Sequence, residues 1–155
     1  MVANLYKHIL FCTDFSENAD LAFETAKDLA WRYGADLTIA HVLVTLTQVP
    51  VREVHIPVEL DSKFVEEATD AAQQTIQDKY VQHLKEKQEY KVAVLAGYPA
   101  TEIVRLAEER DVDLIVMGAH GLTGIAHVLF GSTADRITRK APCAVLTVRP
   151  KAAAK

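Results

Sequence analysis

The chain has 155 residues, 50 % of them apolar and 25 % charged, with a formal net charge of −4. That is the length and mixture of one globular domain with a substantial core, and the acidic balance argues against nucleic acid or an anionic membrane as partner. Cys12 and Cys143 stand far apart inside apolar runs, which excludes a disulfide framework or a CxxC metal pattern and suits a reducing cytoplasm.

Apolar runs and helical stripes alternate along the chain. His8 to Thr13 reads as a buried strand stopped by Asp14, Phe15 and Ser16. Ser16 is the expected N-cap of a helix over 17–32, with Leu21, Ala22, Thr25, Leu29 and Ala30 at helical spacing and Gly34 as its end. Leu37 to Val44 is a second strand, and Thr45 to Pro57, aperiodic with two prolines, reads as a loop. The stripe Phe64, Ala68, Ala71, Ile76, Tyr80 and Leu84 predicts a long amphipathic helix from about 59 to 87. Lys91 to Ala96 is a third strand, and Gly97 to Pro99 turns the chain into a helix ending near Arg110, with Ile103, Leu106 and Ala107 inward. Leu114 to Met117 is a fourth strand, a helix opens near Ser132 and closes at Pro142, and Ala144 to Val148 is a fifth strand. Unbroken apolar strands alternating with helices imply an α/β fold: one domain over 1–150, an open doubly wound sheet of five parallel strands with helices on both faces. Residues 151–155 form a short tail.

Leu114 to Ala134 contains no acidic or basic residue and is as long as a membrane span, but its apolar residues fall in separate clusters among four glycines and two histidines. A phosphate site explains it better. In an open parallel sheet ligands bind beyond the carboxyl ends of the strands, where the order of connection reverses. The first strand ends in Thr13 and Asp14, and the fourth in Met117 and Gly118. Gly118 and Gly121 allow a tight turn and close approach to a flat ligand. Gly131, Ser132 and Thr133 open a helix whose unpaired N–H groups and positive dipole end suit an anion, with two hydroxyls as added donors. The alternative is an ordinary turn at Gly118 and Gly121 and a simple helix cap at Ser132. Neither GxxxxGK[ST] nor a GxGxxG after the first strand is present.

Gly118-x-x-Gly121-x(9)-Gly131-Ser132 matches the nucleotide-binding signature of the universal stress protein family. The resemblance extends to Tyr6–Leu10 leading into Thr13–Ser16, to His41-Val42, to Gly97-x-Pro99 and to the closing run Pro142–Val148. It implies a five-stranded parallel fold with the first and fourth strands adjacent, and a homodimer through the last strand, which otherwise leaves an unpaired edge. It implies an adenine nucleotide, ATP or else ADP or AMP; the chain offers few ligands for a divalent ion, so any Mg2+ is expected to be held mainly by the phosphates. On that resemblance Asp14 contacts the nucleoside and the Val42 backbone borders the adenine, with Cys12, Thr13 and Met117 at the same strand ends. Gly118, His120 and Gly121 lie along ribose and phosphates, and Gly131, Ser132 and Thr133 hold the phosphates. The family often has proline before Thr-Asp, where this chain has Cys12.

The alternative role for Asp14 is simply to cap its own turn. The histidines show no metal-ligand spacing, and His120 and His127 are expected to supply backbone and surface rather than catalysis. Cys12 and Cys143 are expected to be core residues. Leu122, Ile125, Val128, Leu129 and Phe130 form either a flap over the ligand or a face for a partner chain. No Lys or Arg falls between Gly118 and Asp135, and Arg136 lies one turn into the helix, so phosphoryl transfer lacks its cation. The expectation is a cytoplasmic stress-response regulator that binds ATP with slow hydrolysis at most and signals to a protein partner. The alternatives are a nucleotide-processing enzyme (an ATPase, or a protein that phosphorylates Ser132 or Thr133) and an interaction module with a vestigial site.

Overall fold

The computed structural model describes residues 5–45, 61–121 and 130–151. Five parallel strands, β1 (His8–Cys12), β2 (Asp36–Val44), β3 (Tyr90–Gly97), β4 (Leu114–Gly118) and β5 (Ala144–Val148), form one sheet in the order β3-β2-β1-β4-β5. The first and fourth strands are adjacent, as expected. β1 is central: Ile9 pairs with Leu37 on one side and Leu114 on the other, and Cys12 with Ala40 and Met117. Asp113 fixes the start of β1 by accepting from the backbone N–H groups of Lys7 and His8 at 2.8 and 2.9 Å.

Alternate side chains of each strand feed two cores. Ile9, Phe11, Leu37, Ile39, Leu114 and Val116 point toward α1 (Glu17–Tyr33) and α2 (Ser62–Lys79). Leu10, Ala40, Val42, Ala93, Ile115 and Met117 point toward α3 (Pro99–Glu109) and α4 (Ser132–Lys140). With both faces covered, the strands must be apolar throughout, which is why they lack the polar alternation of a half-exposed sheet.

α1 begins where Ser16 Oγ accepts from Ala19 N and ends at Gly34, which has φ +60°. Its inward face is Ala19, Ala22, Phe23, Ala26 and Ala30; Leu21 is exposed, and Thr25 and Leu29 are only partly covered. Small residues let this helix approach the sheet closely, so a stripe chosen by side-chain size points slightly away from the true one. α2 is shorter than its periodicity suggests. It is capped by Asp61 and stops at Tyr80, where a 3-10 turn over Val81–His83 follows. Tyr80 is drawn into the core at 1 % exposure, and Leu84 still packs there from outside the helix. The loop expected before α2, the onset near Glu59, His127, the segment Leu122–Leu129 and most of the tail lie outside the described residues. Among the described residues no helix is long and apolar enough to cross a membrane.

Candidate functional site

The carboxyl ends of β1 and β4 lie side by side while the connections from them run to opposite sides of the sheet, so a cleft opens between them. A cavity of about 590 Å³ occupies it. Cys12, Thr13 and Asp14 line it from the end of β1, Val42 from β2, and Met117, Gly118, His120 and Gly121 from β4 and its continuation. Gly131, Ser132 and Thr133 line it from the start of α4. The structure therefore brings these eleven candidate residues to one cavity.

The glycines serve in ways the sequence does not distinguish. Gly118, Gly121 and Gly131 have no left-handed φ; among described glycines only Gly34 and Gly97 do. Gly118 is needed for packing, because a Cβ there would come within 3.1 Å of the Asn18 backbone in α1. At Gly121 a Cβ would sit 2.5 Å from Asp14 Oδ2. At Gly131 it would meet only ordinary contacts, the nearest being Ala119 O at 3.5 Å. The Gly131 N–H donates to Ala119 O at 2.8 Å, tying the α4 entry to the β4 exit. No side chain caps the first turn of α4, and Ser132 and Thr133 are exposed. That leaves an anion-suited helix end facing the cavity.

Asp14 performs the capping role and faces the cavity as well. Its Oδ1 accepts from Ser16 N at 3.0 Å and from Ser16 Oγ at 2.5 Å, while Oδ2 lies on the Gly121 side. The turn that presents it is braced. Phe15 has φ +65°, its N–H donates to Thr13 Oγ1 at 2.9 Å, and its carbonyl accepts from Lys79 Nζ at 3.2 Å. The Phe15 ring stacks on His41 with centroids 4.3 Å apart, and His41 Nδ1 donates to Thr13 O at 2.8 Å. Thr13 Oγ1 also bonds the Tyr80 hydroxyl at 2.8 Å, which donates to Asp20 Oδ1 at 2.7 Å. Burial pushes the Tyr80 hydroxyl above the ordinary tyrosine range. Burial does the same to the Cys12 thiol and more mildly to Cys143, so neither favours the reactive thiolate.

Several residues at or near this site carry no sequence signal of their own. Phe64, Val65 and Ala68 of α2 and Ile103 of α3 line the cavity, as does His41. Arg149 follows β5, whose Val148 pairs with Gly118, and its guanidinium lies 5.0 Å over the ring of Phe130, the residue before Gly131. A search for cations confined to the loop after β4 misses it, because sheet pairing rather than sequence brings it there. Arg136 sits 5.0 Å over the Tyr98 ring. Among the described residues no group of three or more His, Cys, Asp or Glu is placed to hold a metal ion.

The sequence profile of the universal stress protein family matches residues 5–149. A universal stress protein of Methanocaldococcus jannaschii is 34 % identical over 94 % of this chain and 84 % of its own. The solved structure of a second universal stress protein from that organism superposes with a TM-score of 0.73 at 31 % identity, covering 96 % of this chain and 99 % of the other. A universal stress protein crystallised in complex with cAMP superposes with a TM-score of 0.59 at 26 % identity, over 93 % and 97 % of the two chains.

Proposed function

Because this chain belongs to the universal stress protein family, we propose that it is a stress-response regulatory protein that binds an adenine nucleotide, ATP foremost, between β1 and β4. The observation that carries the reading is convergence: Asp14, the backbone from Gly118 to Gly121 and the uncapped start of α4 all face one cavity at the switch point. Its volume is that of a small-molecule site. The related protein in complex with cAMP supports the ligand class. In this reading the base lies toward Val42, Cys12 and Met117, and Asp14 meets the nucleoside. Gly118, His120 and Gly121 follow the ribose and phosphates, and Gly131, Ser132 and Thr133 hold the phosphates. Mg2+ accompanies the phosphates and is held mainly by them.

Occupancy, rather than turnover, is the proposed signal to a protein partner in the cytoplasm. Among the described residues that line the cavity there is no Lys or Arg to neutralise the charge of a transferring phosphoryl group. Hydrolysis is therefore expected to run well below about 1 per second, the lower end of ordinary enzyme rates. The protein is proposed to pair through β5. Both β3 and β5 are edge strands, so the edge alone does not choose between them, and the family resemblance does. Sedimentation at micromolar concentration should show a dimer; a lone 17.1 kDa species contradicts it.

The test of the binding reading is mass spectrometry of small molecules released on denaturation, paired with melting in added ATP and magnesium. Ligand at one hundred times Kd adds about 2.7 kcal/mol, or a rise of roughly 5–11 °C for a chain of this size. No released nucleotide together with an unmoved melting temperature overturns the reading and favours an interaction module.

A further inference from the structure

The cavity has an apolar wall that lies apart from the glycine signature. α2 starts at the Asp61 cap and first reaches full burial at Ala72 and Ile76, so its opening turns overhang the carboxyl end of the sheet. Phe64 and Ala68 lie one turn apart on one face of these turns, and together with Val65 they line the same cavity as Gly118 and Ser132. The sequence periodicity groups Phe64 with the core residues of α2, yet it is 61 % exposed while Ile76 is fully buried. Val42 and Ile103, at 8 % and 2 % exposure, line the cavity from β2 and α3. The anion-suited groups are on different elements, the β4 exit and the α4 start. The cavity therefore combines apolar side chains from α2, β2 and α3 with N–H and hydroxyl groups from the β4 exit and the α4 start, the two chemistries a nucleotide requires.

We propose that Phe64, with Val65 and Ala68, covers the nucleobase, so that the base is held between the first turns of α2 and the wall formed by Val42 and Ile103. This rests on the nucleotide reading above and adds to it an affinity-determining residue on an element that the glycine signature does not include. A ring left in water at the rim of an apolar cavity gains most when a planar apolar group covers it. Stacking on an aromatic face tolerates every base, so Phe64 supplies affinity without choosing among bases. Covering Phe64 also makes the opening turns of α2 the part of the surface that differs between the empty and occupied protein.

Titration calorimetry with ATP, GTP and inorganic tripolyphosphate, on the wild-type chain and on Phe64→Ala and Phe64→Tyr, tests this. Phe64→Ala should weaken ATP and GTP by the same factor, about 10-fold, and leave tripolyphosphate unchanged; Phe64→Tyr should bind like wild type. The exposed position predicts an unaltered melting temperature for each unliganded variant, so lost affinity is not lost folding. A Phe64→Ala variant that binds ATP as tightly as wild type, or that loses tripolyphosphate in equal measure, overturns the proposal while leaving the nucleotide reading in place. A wild-type chain that binds no ATP overturns both.

Discussion

Three glycines of the signature look alike in sequence, but the structure assigns them different costs on substitution by alanine. At Gly121 the new methyl group would stand 2.5 Å from Asp14 Oδ2. The carboxylate cannot swing aside freely, because its other oxygen holds Ser16 N and Ser16 Oγ at 3.0 and 2.5 Å, and Ser16 in turn caps α1. Relief of the clash must stretch those bonds or move the loop, an overpacking cost of about 1–3 kcal/mol. Against it stands a gain of about 0.4–1 kcal/mol from a stiffer unfolded chain, which applies because φ is not left-handed here. The net loss is about 1–2 kcal/mol, or roughly 2–8 °C in melting temperature. Gly118→Ala presses on the Asn18 backbone at 3.1 Å and should fall in the same range. At Gly131 the nearest atom is 3.5 Å away; the same entropic gain is offset by alanine being a poorer N-cap than glycine, so the melting temperature should stay within about 2 °C. Urea and thermal unfolding of the three variants measure this directly. A Gly131→Ala variant as unstable as Gly121→Ala, or a Gly121→Ala variant as stable as wild type, refutes the assignment. The same Gly131→Ala protein should bind ATP less tightly, since its methyl group enters the space beside Ala119, His120 and Gly121.

Asp14→Asn keeps an acceptor for Ser16 and should melt near the wild-type temperature while losing nucleotide affinity, whereas Ser16→Ala removes the α1 cap and should cost about 1 kcal/mol with binding less affected; unfolding and calorimetry on both variants separate the two roles. Ser132→Ala and Thr133→Ala sit at an exposed helix start without a side-chain cap, so each should stay within about 0.5 kcal/mol in stability, and calorimetry should show weaker ATP binding. Tyr80→Phe removes the hydroxyl between Thr13 and Asp20 and should cost about 1–2 kcal/mol at neutral pH. Because burial raises the folded-state pKa of Tyr80, the unfolded chain loses its proton first. That contribution is complete below about pH 10 and fades as pH rises beyond it, so the gap between wild type and Tyr80→Phe in urea unfolding should hold from about pH 8 to about pH 9 and be smaller at about pH 11. An unchanged gap would mean that Tyr80 is not protected from ionisation by the fold.

The strands were legible because burial on both faces leaves unbroken apolar runs, a signal that needs no knowledge of partners. All five strand locations and the adjacency of β1 and β4 agree with the structure. Helix faces were less legible where alanine does the packing. On α1 the true face runs through Ala19, Ala22, Ala26 and Ala30, and a search for large residues drifts to Leu21 and Leu29. α2 was overextended because Leu84 keeps the helical period in sequence although the helix has ended. What stops it is Tyr80, whose hydroxyl reaches Thr13 and Asp20, partners far away in sequence. The candidate site was legible at the strand ends and glycines, where the end of an apolar run and the need for close approach show in residue type. Phe64 and Arg149 were not, because each arrives through another strand or helix and has the residue type of an ordinary core or surface position.

The turn from Thr13 to Ser16 explains why Asp14 can hold two roles at once. A non-glycine residue at φ +65° is costly, and such a conformation persists only where surrounding contacts over-determine it. Here they come from three elements: Thr13 Oγ1 takes the Phe15 N–H, Lys79 of α2 donates to the Phe15 carbonyl, and His41 of β2 both stacks on the ring and donates to Thr13 O. None of these contacts uses the Asp14 carboxylate, whose Oδ1 is fixed separately by Ser16. The backbone strain is thus balanced by groups other than the Asp14 carboxylate, and Oδ2 is left on the Gly121 side. A site arranged this way loses little ordering entropy on binding, which favours affinity.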